Sequence, residues 1–184
     1  MATSFVYLVR HGEQDLRSEA LSELGRGQSH LLGQRLRTVP FSTIHHSPLP
    51  RAAETASILA EYLPGVPSHA CEHVTDRTPM PASPAPERYA RFLQDVPVVE
   101  RDPGTVALRA AVAYLGTTGD ADRHELVVTH NFVIGWFVRH ALDAPEWRWL
   151  GLNQSNCGLT IVRFDPDGRA SLVCFNDTGH LASV

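Results

Sequence analysis

The sequence predicts a three-layer α/β/α sandwich around a mostly parallel sheet. In the amino-terminal part of the chain, short apolar runs rich in strand-forming residues alternate with longer stretches of helical periodicity, the pattern of an α/β domain. Near the carboxyl terminus, two extended runs flank residues 165–168, whose sequence Asp-Pro-Asp-Gly is typical of a hairpin turn. The 184 residues are enough for one such domain, and we expect a single domain over residues 1–184.

The first predicted strand covers residues 5–9 and delivers polar groups to one edge of the sheet. Its continuous apolar residues indicate a buried strand, and the run stops abruptly at Arg10 and His11. After a polar loop, a helix is expected to begin with Ser22 as its cap and to end at Pro40.

A second strand and helix follow. The strand is expected over residues 42–46, and the helix begins at Pro50 with Arg51 in its first turn. Strands joined by a helical crossover run parallel, so their carboxyl ends lie on the same side of the sheet. Open α/β sheets bind ligands at that edge. Arg51 is therefore expected to approach Arg10 and His11.

The middle of the chain carries less chemical information. A third extended segment is expected over residues 66–71, followed by an irregular segment over residues 72–86, whose prolines exclude a regular helix. Two further helices are predicted over residues 87–94 and 104–115.

The carboxyl-terminal part repeats the opening pattern. An apolar strand over residues 125–129 ends at His130, and a strongly apolar helix follows over residues 132–142. The last two strands, over residues 159–164 and 170–175, are expected to form an antiparallel hairpin. A second histidine thus reaches the edge of the sheet where the first strand ends.

Two arginines and two histidines at one edge indicate a site for a phosphoryl group. A guanidinium group binds phosphoryl oxygens through a fixed fork of donors, and a neutral imidazole can attack phosphorus. Any one of Arg10, His11, Arg51 and His130 could be an ordinary residue at the end of an element. Their convergence makes a phosphate site the better interpretation.

Composition excludes several other classes of function. The net charge of -4 and the absence of any basic run argue against binding to nucleic acid or to a membrane surface. Cys71, Cys157 and Cys174 are odd in number and widely spaced, so no disulfide framework or thiolate zinc site is expected. The histidines lack metal-ligand spacing, and we expect neither a metal nor a cofactor. No membrane segment or leader is evident, which favours a cytoplasmic location, and the oligomeric state is left open.

These motifs resemble those of the histidine phosphatase superfamily, which has the phosphoglycerate-mutase-like fold. The matching segments are Arg-His-Gly-Glu at residues 10–13, Leu-Gly-Arg-Gly-Gln at 24–28, the arginine segment at 47–56 and Thr-His-Asn at 129–131, and they occur in the family's order. Within the family, the chain is most similar to the small serine/threonine-phosphatase branch typified by its mitochondrial member.

The resemblance implies hydrolysis of a phosphomonoester without a metal. It implies that His11 is the nucleophile and becomes transiently phosphorylated. It also implies that Arg10, Arg51 and His130 bind the phosphoryl oxygens, with His130 acting as a catalytic residue as well. The implied partner is a phosphorylated substrate, either a phosphoprotein side chain or a small phosphomonoester.

The family also uses a carboxylic acid to protonate the leaving group. Relatives have a glutamate at the position where this sequence has Asp76, so Asp76 is the first candidate, Glu72 the second and Glu13 the third. Arg17 stands where relatives commonly have an asparagine that contacts phosphate, so the resemblance implies that Arg17 binds substrate, with exposure to solvent as the alternative. Three side chains are expected at the rim of the site, namely Arg17, Arg77 and His180.

Two other functions remain open from the sequence. A phosphoglycerate mutase-type phosphotransferase would use the same residues, but the chain is short for the insertions with which mutases enclose a bisphosphate. A catalytically silent phosphate-binding module is the alternative outside enzymes, and the presence of both arginines and both histidines argues against it.

Overall fold

A computed structural model describes residues 2–182, in which a sheet lies between two layers of helices. The strands are β1 (Ser4–Arg10), β2 (Thr43–His46), β3 (Ser68–Ala70), β4 (Thr78–Met80), β5 (Arg101–Pro103), β6 (Arg123–Thr129), β7 (Leu159–Phe164) and β8 (Ala170–Asp177). The helices are α1 (Glu23–Leu36), α2 (Pro50–Glu61), α3 (Ala90–Asp95), α4 (Val106–Leu115) and α5 (Asn131–Ala141). Within this range no helix is both long and apolar enough to cross a bilayer.

The main sheet has six strands in the order β3-β2-β6-β1-β7-β8. The first four in this order are mutually parallel, whereas β7 and β8 form the expected antiparallel hairpin at one edge. This confirms the predicted mostly parallel α/β sheet. The strands β1 and β2 are parallel but not neighbours, because β6 lies between them and pairs with both. The carboxyl ends of β1, β2 and β6 therefore meet at one edge.

Each central strand is buried on both faces, which explains its continuous apolar sequence. On one face, Leu8 and Val127 belong to a cluster that includes residues of α4 and α5. On the other face, Val9 and Val128 belong to a cluster that includes residues of α1 and α2. The two clusters hold the sheet rigidly between the helical layers, so the residues that follow the strands are fixed in position.

Two short strands, β4 and β5, form a separate parallel pair that the sequence pattern does not predict. Three residues are too few to display the alternation of a strand, and Pro79 lies within β4. The expectation of an irregular segment over residues 72–86 is therefore wrong for residues 78–80, which form β4. Asp102 in β5 accepts hydrogen bonds from the backbone N–H groups of Ala107 and Leu108 at 3.1 and 2.9 Å, which fixes the start of α4.

The start of α1 packs directly on the loop after β1. Ser22 caps the helix as predicted, since the N–H of Gly25 donates to Ser22 Oγ at 3.0 Å. A Cβ atom added to Gly25 would lie 2.1 Å from the carbonyl oxygen of Glu13, and one added to Gly12 would lie 2.5 Å from the carbonyl oxygen of Gly25. Glycine is required at both positions because two backbone segments touch there.

Gly25→Ala is expected to destabilise the protein by about 1–3 kcal/mol, because backbone atoms would have to move apart to admit a methyl group. Gly27→Ala is a matched control in the same helix, since a Cβ atom there meets nothing within 4 Å. That variant is expected to gain about 0.5–1 kcal/mol from the higher helix propensity of alanine. Chemical denaturation of both variants measures the difference. Equal changes in the free energy of unfolding of the two variants would show that the backbone of Glu13 leaves room for a methyl group at Gly25.

Candidate active site

Arg10 and His11 mark the carboxyl end of β1, where the chain leaves the sheet. His11 is buried, with 6% of its surface exposed, and its backbone N–H donates to the carbonyl of Thr129 on the neighbouring strand at 3.0 Å. The guanidinium of Arg10 donates through Nη1 to the backbone carbonyl of Gln154 at 2.7 Å. The backbone of His11 and the side chain of Arg10 are thus held in place before any ligand binds.

The hydrogen-bond partners of His11 determine its tautomer. Nδ1 lies 2.7 Å from the carbonyl oxygen of Gly12, which can only accept, so Nδ1 carries the hydrogen. Nε2 is then the basic nitrogen, and Arg51 donates to it from Nε at 3.1 Å. The lone pair of Nε2 therefore faces the guanidinium of Arg51, where a bound phosphoryl group would also be attracted.

Arg51, in the first turn of α2, joins three polar side chains. Its Nε donates to His11, while its Nη2 donates to Asp76 Oδ2 at 2.9 Å and lies 3.3 Å from Nδ1 of His130. The sequence predicted that Arg10, His11, Arg51 and His130 converge, and the structure brings them together. We call Arg10, Arg51 and His130 the phosphate clamp.

His130 ends β6 and is the residue before α5. Because a guanidinium group only donates, the contact with Arg51 makes Nδ1 of His130 the acceptor and leaves the hydrogen on Nε2. That Nε2 atom is buried and has no hydrogen-bond partner among the described residues. Its ring centroid lies 5.1 Å from that of His11. The arrangement leaves a donor available to an anion beside the nucleophile candidate.

Both histidines are held in the neutral form. Burial, reinforced by the charges of Arg51 and Arg10, lowers the pKa of His11 to about 4, although its hydrogen bond to Gly12 opposes the shift. Burial and the same two arginines lower the pKa of His130 to about 2. A neutral imidazole is the form that can attack phosphorus, so His11 is ready to react at neutral pH.

The depressed pKa of His11 predicts acid-sensitive stability. An unfolded histidine protonates near pH 6.5, whereas folded His11 stays neutral down to about pH 4. Unfolding therefore takes up a proton between these values, and the free energy of unfolding falls as the pH falls through this window. The contribution of His11 is about 3 kcal/mol between pH 7 and pH 4.

His11→Asn removes this titration and keeps a hydrogen-bond donor for the Gly12 carbonyl. Urea denaturation of the wild-type protein and of this variant from pH 7 to pH 4 should give curves of stability against pH that diverge by that amount, with the wild type losing more. Parallel curves would mean that folded His11 titrates like an exposed histidine.

Of the three candidate acids, only Asp76 contacts the phosphate clamp in the described chain. Its carboxylate accepts from Arg51, and Oδ2 lies 3.4 Å from Nδ1 of His130. Although 38% of the side chain is exposed, burial of the carboxyl raises the pKa of Asp76 against the lowering effect of Arg51. Glu72 is exposed and accepts from Thr75 Oγ1, whereas Glu13 accepts from the cap Ser22. Glu13 and Glu72 therefore have local structural partners.

The three side chains expected at the rim have different surroundings. Arg17 is exposed on the loop after β1, and its backbone N–H donates to Asp15. Nε of Arg77 is buried without a hydrogen-bond partner in the described residues. His180 lies 3.1 Å from the carbonyl of Cys157 and close to Arg35 on α1. None of the three has a hydrogen bond to the phosphate clamp in the described chain.

Two supporting residues were not predicted. Thr55, one turn after Arg51, accepts from the N–H of Gly12 at 3.0 Å and donates to the carbonyl of Arg51 at 2.8 Å. Asn156 donates to the carbonyl of His11 at 2.9 Å. Thr55 belongs to the segment that also carries Arg51, which is a usable signal, whereas nothing in the sequence distinguishes Asn156. Residues 2–182 contain no group of three or more His, Cys, Asp or Glu side chains placed to hold a metal ion.

Comparison with known proteins gives a family match over most of the chain. The model of the histidine phosphatase superfamily (branch 1) matches residues 6–178. A curated relative, the mitochondrial serine/threonine-protein phosphatase Pgam5 of Caenorhabditis briggsae, is 33% identical over 189 residues, which cover 98% of this chain and 65% of the relative. The chain therefore spans less than two thirds of that relative's length.

Solved structures agree with the family match. A phosphoglycerate mutase of Plasmodium falciparum superposes with a TM-score of 0.65 at 26% identity, over 95% of this chain and 91% of that one. YhfR of Bacillus stearothermophilus superposes with a TM-score of 0.77 at 21% identity, over 97% and 99% of the two chains, and shows the shared fold. The family's motif residues lie together at one edge of this fold, and the chain belongs to the histidine phosphatase superfamily.

Proposed function

We propose that this chain hydrolyses phosphomonoesters through a phosphohistidine intermediate on His11, without a metal ion. The observation that carries the proposal is the state of His11. It is a buried, neutral imidazole whose Nδ1–H is bound to the Gly12 carbonyl and whose Nε2 lone pair faces Arg51. An imidazole in this state is a nucleophile, and the phosphate clamp beside it supplies donors for three phosphoryl oxygens.

The first step transfers the phosphoryl group to His11. Oxygens of the substrate compete for the N–H groups of Arg51, which frees the lone pair of His11 Nε2. This nitrogen forms a bond to phosphorus while the bond to the leaving oxygen breaks in line, and the bonding pair departs with that oxygen. Arg10, Arg51 and the Nε2–H of His130 stabilise the charge on the equatorial oxygens.

Asp76 is the proposed acid for the leaving oxygen. Burial raises its pKa while Arg51 lowers it. A bound phosphoryl dianion turns the donors of Arg51 away from Asp76 and adds negative charge nearby, and both changes favour the protonated carboxyl. Asp76 then protonates the leaving oxygen. In the second step its carboxylate takes a proton from water as the water attacks phosphorus, and the breaking N–P bond returns its pair to Nε2.

The proposed substrate is a phosphorylated protein side chain, with a small phosphomonoester as the alternative. The relative named above is a serine/threonine-protein phosphatase, which supports the first choice. The proposal also treats residues 1–184 as one histidine phosphatase domain. The proposal also includes a cytoplasmic location for this chain, although the name of that relative describes the relative as mitochondrial.

Trapping of the intermediate tests the proposal directly. Rapid quenching during turnover of a ³²P-labelled phosphomonoester should yield protein-bound phosphate that is labile in acid, stable in base and located on His11. Label on serine, on aspartate or on His130 would contradict the proposed mechanism. The mechanism would also be contradicted if no label were trapped although turnover is rapid and an independent measurement shows that the phosphorylated enzyme breaks down slowly.

A phosphoglycerate mutase-type phosphotransferase is the second candidate, supported by the Plasmodium falciparum structure. A mutase would share the first step with a hydrolase. In the second step the phosphoryl group would pass from His11 to a phosphoglycerate instead of to water. ³¹P NMR can follow how much of the phosphoryl group is transferred to water and how much to a phosphoglycerate. The ratio of these two rates distinguishes a hydrolase from a mutase. Transfer to phosphoglycerate that exceeds hydrolysis at millimolar acceptor would favour the mutase.

A further inference from the structure

A cavity of about 370 Å³ lies at the opposite edge of the sheet from the phosphate clamp. Its wall includes Phe164, which pairs with Ser4 at the amino end of β1, whereas Arg10 and His11 follow the carboxyl end of the same strand. Helix α5 connects the two regions, because His130 precedes its first residue and Arg139 lies in its last turn. The rise of an α-helix places these two residues roughly 14 Å apart along the axis.

The cavity is lined by apolar side chains together with three arginines and a histidine, and it has an aromatic floor. Arg109 from α4 and Arg139 from α5 both lie over the ring of buried Trp136, at 5.9 and 4.9 Å from its centroid. Arg169 and His140 complete the basic lining. The volume is within the range of sites that hold small ligands, and the lining contains three arginines and one carboxylate, that of Asp165.

Carboxylates engage most of these charges but leave the donors of Arg139 free. Arg109 pairs with Glu146, and Arg169 pairs with Asp167. Asp165, which also lines the cavity, pairs with Arg163. Arg139 donates through Nε to the carbonyl of Ala144 at 2.9 Å, and its Nη atoms form no hydrogen bond or ion pair within the described residues.

The surroundings of Arg139 favour an anion in the cavity. Burial and the nearby charge of Arg109 lower the pKa of Arg139, which means that the site destabilises its positive charge. Asp143 acts in the opposite direction and weakly, since it forms no ion pair with Arg139 in the described chain. An anion bound to Arg139 would receive its free N–H donors and offset the repulsion between the guanidinium groups of Arg109 and Arg139.

We propose that this cavity, lined by Arg109, Arg139 and Arg169, is a second binding site for a small anion that carries phosphate groups. Arg139 provides the free bidentate donors, Arg109 and Arg169 lie beside it in the lining, and His140 provides a further donor there. The site is separate from the phosphate clamp and does not depend on the proposed function.

The test is titration of ¹⁵N-labelled protein with pyrophosphate, followed by NMR. The indole N–H signal of Trp136 reports on the cavity, and the amide signal of Gly12 reports on the phosphate clamp, so the two sites are resolved in one experiment. Both signals should shift and saturate, each with its own dissociation constant. Glycerol, which is uncharged, should shift neither signal.

Arg139→Gln should weaken binding at Trp136 by about tenfold or more, equivalent to about 1.4 kcal/mol, and leave binding at Gly12 unchanged. Arg109→Gln should also weaken binding of pyrophosphate at Trp136. Because the two variants are independent, the test remains valid if one of them folds poorly. Arg91→Gln is the matched control, since the side chain of Arg91 is 95% exposed and does not line the cavity. It should leave both constants unchanged. An immobile Trp136 signal, a shift that never saturates, or equal affinity in Arg91→Gln and Arg139→Gln would each overturn the proposal.

Discussion

His11→Ala is expected to reduce hydrolysis of p-nitrophenyl phosphate by a factor on the order of 10⁴ or more, because it removes the nucleophile itself. The remaining phosphate clamp can still bind the substrate, so KM should change far less than kcat. The fold should survive, because the two contacts of the imidazole lie at the edge of the sheet and outside both apolar clusters. Steady-state kinetics and circular dichroism of the purified variant measure both effects.

His46 provides a matched control for this substitution. It also ends a strand, and its Nδ1 also lies close to the carbonyl oxygen of the next residue, at 2.9 Å from Ser47. No arginine contacts its ring among the described hydrogen bonds, so it has the backbone contact of His11 without the phosphate clamp. His46→Ala should retain activity within a few fold. Substantial activity in His11→Ala, or equal losses in both variants, would remove His11 from the role of nucleophile.

The effect of a chelator separates the proposed mechanism from metal-assisted hydrolysis. Prolonged dialysis against EDTA should leave the rate unchanged, since imidazole attack needs no metal-bound hydroxide. A loss of activity that zinc or magnesium restores would contradict the metal-free mechanism.

Most of the fold could be predicted because the central strands carry two signals at once. β1 and β6 each contain a continuous apolar run, over residues 5–9 and 126–128, and each run is followed by a polar motif that must lie at a sheet edge. The order of the strands could not be predicted, because the insertion of β6 between β1 and β2 is a pairing between distant segments. The pair β4 and β5 was missed because three-residue strands carry no periodicity.

The candidate site was predictable where it depends on side chains and unpredictable where it depends on the backbone. Arg10, His11, Arg51 and His130 have unusual residue types at predicted strand ends and helix starts, so their convergence follows from topology. The acceptor for Nδ1 of His11 is the Gly12 carbonyl, and every residue has such a group. No residue type therefore marks this contact in the sequence.

The short motif around Gly25 has a structural explanation that the sequence alone does not provide. Gln28 accepts from the N–H of Glu13 through Oε1 at 2.9 Å, and Arg26 donates to Glu54 on α2 at 2.7 Å. Together with the close contact at Gly25, these bonds fasten α1 and α2 to the loop that follows His11. The motif thus holds the backbone that orients the nucleophile candidate, although none of its side chains touches the phosphate clamp in the described chain.

Asp76→Asn is expected to affect substrates according to their leaving group. p-Nitrophenolate leaves as a stable anion and needs little protonation, whereas an alkoxide such as the serine oxygen leaves poorly without an acid. Hydrolysis of an alkyl phosphate or a phosphoserine peptide should therefore fall by about 10²–10⁴-fold, and hydrolysis of p-nitrophenyl phosphate by less than about tenfold. The asparagine oxygen can still accept from Arg51, so the clamp should keep its geometry.

The comparison between alkyl and aryl substrates requires the rate of phosphorylation of His11, because a slow second step would hide differences in that rate. Single-turnover burst kinetics with both classes of substrate give that rate directly. Glu72→Gln is the matched control, since Glu72 is exposed and its side chain is engaged by Thr75. It should leave both substrates unaffected. If Glu72→Gln instead shows the loss confined to alkyl substrates, the acid is Glu72 and the contact between Asp76 and Arg51 serves only to hold the guanidinium in place. Equal losses on both classes in Asp76→Asn would likewise assign Asp76 a role in positioning Arg51, because a group that only orients the clamp affects every phosphoryl transfer alike.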